Sequence, residues 1–159
     1  MAALHAYASK AGGLGGTWVP LTEGASLETC EALIGDWLAG WRNQQSFHGP
    51  ALVIVAAGHT QLIGQVGFAG RGDNAVELVY GVAPDRRGRG YASRAARLAA
   101  RWLLAEGLAG QVELRIGRDN IESQRVAAAA GFRPAGRVVS QVAATGERYD
   151  DLRFVMPQA

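Results

Sequence analysis

Arg86, Arg87 and Arg89 interleave with Gly88 and Gly90, between the apolar run AVELVYGV (Ala75–Val82) and an alanine-rich run that begins at Tyr91. Ordering arginine side chains costs rotamer entropy, and fixing glycine costs backbone entropy. Both at one strand-to-helix junction suggest a ligand. A helix N-terminus presents backbone N–H groups without intrahelical partners and a partial positive charge, which together attract anions. Gly88 and Gly90 carry no Cβ, so a bulky anion can approach the backbone, and the arginines add positive charge at the rim. The combination suits a phosphate, and more naturally a diphosphate. The plainer alternative is a tight turn with solvated arginines.

Three kinds of phosphate site compete for this stretch. A P-loop requires G-x-x-x-x-G-K-[ST], which the chain lacks. A dinucleotide fingerprint requires G-x-G-x-x-G directly after a strand. GRGYAS supplies G-x-G and then Ser93, and APDRR separates it from the strand. Glu113 stands at a tolerable distance for a ribose-binding acid, but three hairpin strands upstream do not suit a doubly wound sheet. The third kind is an acyl-coenzyme A site.

The elements that must position these residues follow from periodicity. Leu27, Leu33, Ile34, Trp37, Leu38 and Trp41 recur at helical spacing, so a helix is expected from Ser26 to Trp41, capped by Ser26 with Glu28 and Glu31 in its first turn. ALVIVAA (Ala51–Ala57), LIGQVGF (Leu62–Phe68) and AVELVYGV read as three strands of a meander, joined at GHTQ and AGRGDN. A long helix is expected over Gly90–Glu106, a strand over Val112–Ile116, and a helix over Asn120–Phe132 that Gly131 stops. RVVSQVA and YDDLRFVM form a closing hairpin around ATGER. The order β-β-β-α-β-α-β-β predicts an α+β (loosely α/β) fold with a mixed, mostly antiparallel sheet flanked by helices.

Composition narrows the function classes. A chain of 159 residues, 48% hydrophobic and 19% charged, fits one folded domain over residues 1–159. A net charge of +2 gives no reason to expect a nucleic-acid partner. The single cysteine, Cys30, excludes an internal disulfide and a cysteine-rich zinc site, so no metal is expected and a cytoplasmic setting fits. No apolar run approaches a membrane span, and the N-terminal residues do not read as a signal peptide.

VELVYGVAPDRRGRGYASRAARLAARWLL resembles the signature of the GNAT superfamily of N-acetyltransferases. The family's pyrophosphate loop, [QR]-x-x-G-x-[GA], is matched in full by Arg87–Ala92. A second family block, an Asn, a Ser three residues later and a helix ending in Gly-Phe, is matched by Asn120, Ser123, Gly131 and Phe132. The resemblance covers Leu52 to Phe154 and is loosely nearest the ribosomal-protein N-terminal alanine acetyltransferases. Only 25 residues precede Ser26, so the family's first strand is expected to be short or missing. The resemblance implies that the VELVYGV and VELRI strands splay apart around the pantetheine arm of acetyl-CoA, which pairs near Val82. It implies a diphosphate held by Arg87, Gly88, Arg89, Gly90, Tyr91, Ala92 and Ser93. Asn120 would contact the pantetheine arm, with Ser123 near the thioester sulfur. An amine attacks the thioester directly, with Glu77 as base and Ser123 as the second catalytic candidate. The acceptor is an amine-bearing protein N-terminus or small molecule. A homodimer is left open.

Each candidate has a plainer role as well. Arg94, Arg97 and Arg101 recur on one helical face and read as a solvated stripe. Asn120 can simply cap its helix, Glu77 can be a strand glutamate facing water, and Asp150 and Asp151 can sit in a solvated turn rather than attract a cationic acceptor. Tyr80, Trp37, Trp41 and Trp102 read as core, and Cys30 as packing. His48 and His59 sit in turns. Two other function classes stay open: an inactive coenzyme-A-binding sensor and a nucleotide-dependent enzyme of another fold.

Overall fold

The computed structural model describes residues 52–55, 57, 61–141 and 148–158, together with Ser26, Glu28, Thr29, Glu31, Ala32 and Gly35. The strands are β1 (Leu52–Val55), β2 (Leu62–Gly70), β3 (Ala75–Val82), β4 (Gln111–Gly117), β5 (Arg133–Gln141) and β6 (Arg148–Val155). A 3-10 turn over Pro84–Arg86 follows β3. The helices are α1 (Tyr91–Ala105) and α2 (Ile121–Ala130). The six strands lie in the order β1-β2-β3-β4-β6-β5. The β3–β4 pair is parallel, whereas β1–β2, β4–β6 and β5–β6 are antiparallel. This is the mixed, mostly antiparallel sheet that the element order predicts.

The chain forms two compact units. The first holds residues up to Ala69 and Val79–Ala92. Its described core includes Ile54, Ile63, Val66, Phe68 and Ala83, and Ala83 N–H donates to the Ile63 carbonyl at 2.9 Å. The second unit holds Gly70–Leu78 and Ser93–Ala159. There Ala96, Ala99, Ala100 and Leu103 are buried on α1, a stripe at i, i+3, i+4 and i+7 that covers one helical face. Leu78, Val112, Leu114, Ile116 and Phe154 supply strand residues to this core.

Boundaries agree closely with expectation where local signals are strong. Asn120 caps α2, its Oδ1 accepting from Ser123 N–H at 3.0 Å. Gly131 ends the helix in a left-handed conformation, and its N–H returns to Ala127 and Ala128 carbonyls. Glu28, Thr29, Glu31, Ala32 and Gly35 are helical, and Ser26 Oγ accepts from Thr29 N–H at 3.1 Å. The remainder of the helix expected to Trp41, with Cys30, Trp37, His48 and His59, lies outside the described residues, as does most of ATGER. Most boundaries shift by a residue or two, and the largest difference is that β5 begins at Arg133 rather than Arg137. The strand runs through Pro134 and Gly136 with a register shift between Pro134 and Arg137. Its place at the end of the sheet order permits this, because an edge strand can dispense with a donor. Among the described residues no helix is long and apolar enough to cross a membrane.

Candidate functional site

The arginine–glycine junction lies in the first unit as far as Ala92. Gly88 and Gly90 both have φ of +73°, a backbone region that costs an L-residue about 1–2 kcal/mol. Nothing lies within 4 Å of where a Gly88 Cβ would stand, so the constraint there is conformational rather than steric. Turns with left-handed residues are one way in which a backbone presents successive N–H groups to an anion. Tyr91 then begins α1, a helix of 15 residues. Gly88, Arg89 and Gly90 are exposed. Arg86 and Arg87 both make contacts within this unit. Arg86 Nη2 donates to Gln61 Oε1 at 2.7 Å, and Arg87 Nε donates to the Val82 carbonyl at 3.1 Å. The structure thus brings together Arg87 and Val82, both expected at the coenzyme. Ser93 belongs to the second unit.

Asn120 and Ser123 lie in the second unit at the start of α2. Gln124 Nε2 donates to the Gly117 and Arg118 carbonyls at 3.3 and 2.8 Å, which ties the turn after β4 to the helix. An open pocket of about 820 Å³ is lined by Gly117–Glu122 and Arg148–Asp151. It gathers Asn120, Asp150 and Asp151, but Ser123 is not in its lining. Its wall carries Asp119, Glu122, Asp150 and Asp151 against Arg118 and Arg148. Arg118 Nη1 pairs with Asp150 Oδ2 at 3.2 Å, both half in solvent, so this pair contributes little.

Glu77 does not face water: it is 2% exposed. Its register partner across the parallel β3–β4 pair is Glu113, also 2% exposed. Two buried carboxylates on neighbouring strands are tolerable only with cations between and beside them. Arg71 Nε and Nη2 each lie 2.5 Å from Glu77 Oε2. Arg115 Nε stands 3.5 Å from that same oxygen and donates to Glu113 Oε1 at 2.9 Å. Arg153 Nε donates to Glu113 Oε2 at 2.5 Å. The result is a line of alternating charge, Arg71–Glu77–Arg115–Glu113–Arg153. Burial pushes the Glu77 carboxyl above the ordinary value, against the pull of Arg71 and Arg115. Burial also acts on Glu113, but hydrogen bonds from Arg153 and Arg115 prevail and hold it below the ordinary value. Both Glu113 oxygens are taken, which removes the ribose-binding role considered for a nucleotide site.

Sequence reading missed Arg71, Arg115 and Arg153. A signal was present: Val76-Glu77-Leu78 and Val112-Glu113-Leu114 are the same triplet, and identical alternation on two paired strands puts both glutamates on one face. Arg97 departs from the solvated stripe. Its Nε donates to the Ala130 carbonyl at 3.2 Å, and its Nη2 to that of Ala129, so it closes the C-terminal end of α2. Among the described residues no three His, Cys, Asp or Glu side chains are grouped to hold a metal.

A family model described as an acetyltransferase (GNAT) domain matches residues 3–133. No curated protein matches the chain. Among solved structures, the ribosomal-protein-S5-alanine acetyltransferase of Vibrio fischeri shares 17% identity, with 96% of this chain and 85% of that one covered and a TM-score of 0.74. A GNAT-family acetyltransferase of Bacillus anthracis shares 19%, covering 98% and 87%, with a TM-score of 0.71. The microcin C7 self-immunity acetyltransferase, solved with acetyl-CoA and AMP, shares 17%, covering 84% and 73%, with a TM-score of 0.70. At these identities the likeness is one of fold.

Proposed function

The chain belongs to the GNAT acetyltransferases, and from that membership we propose that it moves an acetyl group from acetyl-CoA to a primary amine. The observation that carries the coenzyme half is the Arg87–Ala92 loop, with Gly88 and Gly90 at φ +73° immediately before a 15-residue helix. Its backbone, with Arg87, Arg89, Tyr91, Ala92 and the following Ser93, would hold the diphosphate. By family resemblance Val82 and Asn120 contact the pantetheine arm, and Ser123 stands near the sulfur. Residues 1–159 are read as one acetyltransferase domain, working in the cytoplasm.

In the reaction the acceptor nitrogen forms its bond to the thioester carbonyl carbon, the C–S bond breaks, and sulfur leaves with the electron pair. The nitrogen must shed a proton. Glu77 is the candidate to take it, and its burial suits the role: a carboxylate raised above its ordinary value is a stronger base. An α-amine with pKa near 8 is about one-tenth neutral at pH 7, whereas a lysine near 10.4 is almost wholly charged. A positioned base typically contributes about 10²–10⁴-fold, so a lysine-like acceptor depends on Glu77 more than an N-terminal amine does. Asp150 and Asp151 are candidates to attract a cationic acceptor.

The test is thiol release from acetyl-CoA with three acceptors: a hexapeptide starting with alanine, one starting with serine, and spermidine. Amine-dependent thiol release with at least one is expected. Release with none of them, by a folded protein that binds acetyl-CoA, would leave a coenzyme-A-binding module without transfer.

A further inference from the structure

The contacts on Glu77 are lopsided. A guanidinium facing a carboxylate commonly makes two parallel bonds, one to each oxygen. Arg71 instead directs both Nε and Nη2 to Oε2, each at 2.5 Å, and the Arg115 contact at 3.5 Å falls on Oε2 as well. The two oxygens of this carboxylate are therefore in different surroundings: Oε2 is tied down by cations, and Oε1 receives none of these contacts.

Arg71 is held where it can do this. It opens the turn between β2 and β3, where its N–H donates to the Ala75 carbonyl at 2.9 Å and Ala75 N–H to that of Gly72 at 2.8 Å. Gly72, Asp73 and Asn74 follow one another with φ of 72°, 46° and 58°, two of them non-glycine residues in a region that only Asn, Asp and Gly enter at modest cost. The start of β4 braces this turn. Gly110 N–H donates to the Asn74 carbonyl at 2.8 Å, and a Cβ on Gly110 would stand 2.8 Å from Asn74 Nδ2. A guanidinium on a braced turn keeps its orientation better than one on a free loop.

We propose that Arg71 is a positioning residue: it fixes Glu77 through Oε2 so that Oε1 is the atom that takes the proton from the acceptor amine. The proton leaves nitrogen for Oε1 while the N–C bond forms and the C–S bond breaks, and Arg71 itself exchanges no proton. The inference rests on Glu77 as base. The charged groups facing Glu77 are Arg71 from the turn and Arg115 and Glu113 from β4, with Arg153 from β6 one step further along the line. Because Arg71 lowers the proton affinity of Glu77, its loss raises that affinity and shifts the acid limb of the rate profile to higher pH.

The experiment measures kcat against pH with saturating acetyl-CoA and whichever amine of the panel turns over, for wild type, Arg71→Met, Arg71→Lys, Arg153→Met and Glu77→Gln. The protonation midpoint of the Glu77 carboxyl is followed by carbon NMR in the same proteins, and needs no acceptor. A cation within about 4–6 Å typically lowers a carboxylate's pKa by about one unit or more. Arg71→Met is therefore expected to lower kcat about tenfold on the acid limb, to raise the carboxyl midpoint in parallel, and to leave acetyl-CoA affinity unchanged. Arg71→Lys recovers the limb in part, and Arg153→Met leaves it in place. An Arg71→Met limb that stays put, or a midpoint that rises while the limb does not follow, overturns the positioning role. If Glu77→Gln keeps the wild-type profile, the base itself has been misassigned, which is a distinct failure.

Discussion

Replacing Glu113 with glutamine should destabilise the protein near neutral pH and hardly at all in acid. The carboxylate is 2% exposed and accepts from Arg115 Nε at 2.9 Å and Arg153 Nε at 2.5 Å. An amide keeps one acceptor oxygen and turns an NH₂ donor toward the other guanidinium. One charge-assisted bond, worth about 1.5–3 kcal/mol, is lost, and the survivor weakens by roughly half. The cost is about 2–4 kcal/mol, or about 4–16 °C in Tm for a chain of this size. Its sign with pH follows from linkage. The folded carboxyl sits below its ordinary value, so its stabilisation is complete above the unfolded pKa of about 4.3 and fades as pH falls through the folded one. Urea unfolding of both proteins from pH 8 to pH 3 measures the gap. A gap that stays constant or widens toward acid would refute the reasoning.

Glu77→Gln should lower kcat at least about tenfold at pH 7 without weakening acetyl-CoA, and part of the loss should return at higher pH as free amine accumulates; steady-state kinetics across pH checks it. Charge reversal at Asp150 and Asp151 should raise KM for spermidine more than for an alanine-started peptide, and unchanged KM for both removes the pair from acceptor binding. Arg97→Met should cost about 1–3 kcal/mol, since it uncaps two α2 carbonyls, as chemical denaturation would show.

Much of the fold was legible because its signals are local. Asn120 and Gly131 mark the two ends of α2 in the chain itself, and α1 follows from alanines and a leucine at helical spacing. The loop at Arg87–Ala92 was legible for the same reason: a strand end, two glycines and a helix start are contiguous. The charged line through Glu77 was not. Its five members come from the β2–β3 turn, β3, β4 and β6, and their meeting depends on the β3–β4 register and on β6 lying beside β4. A crossover helix and a hairpin separate those strands in the chain, so spacing alone does not give the register. The start of β5 at Arg133 was not legible for a related reason: the strand contains Pro134 and Gly136, and an edge position in the sheet order is what lets it absorb them.

The coenzyme loop is tested most directly by calorimetric titration of acetyl-CoA into the folded wild type and Gly90→Glu. Glutamate at this position adds an anion where the diphosphate is proposed to lie and forces a side chain onto a residue at φ +73°. Saturable binding to the wild type and none to the variant, with both shown folded by circular dichroism, is the expected result. Equal affinity in the two proteins would contradict the assignment of Arg87–Ala92 as the diphosphate site.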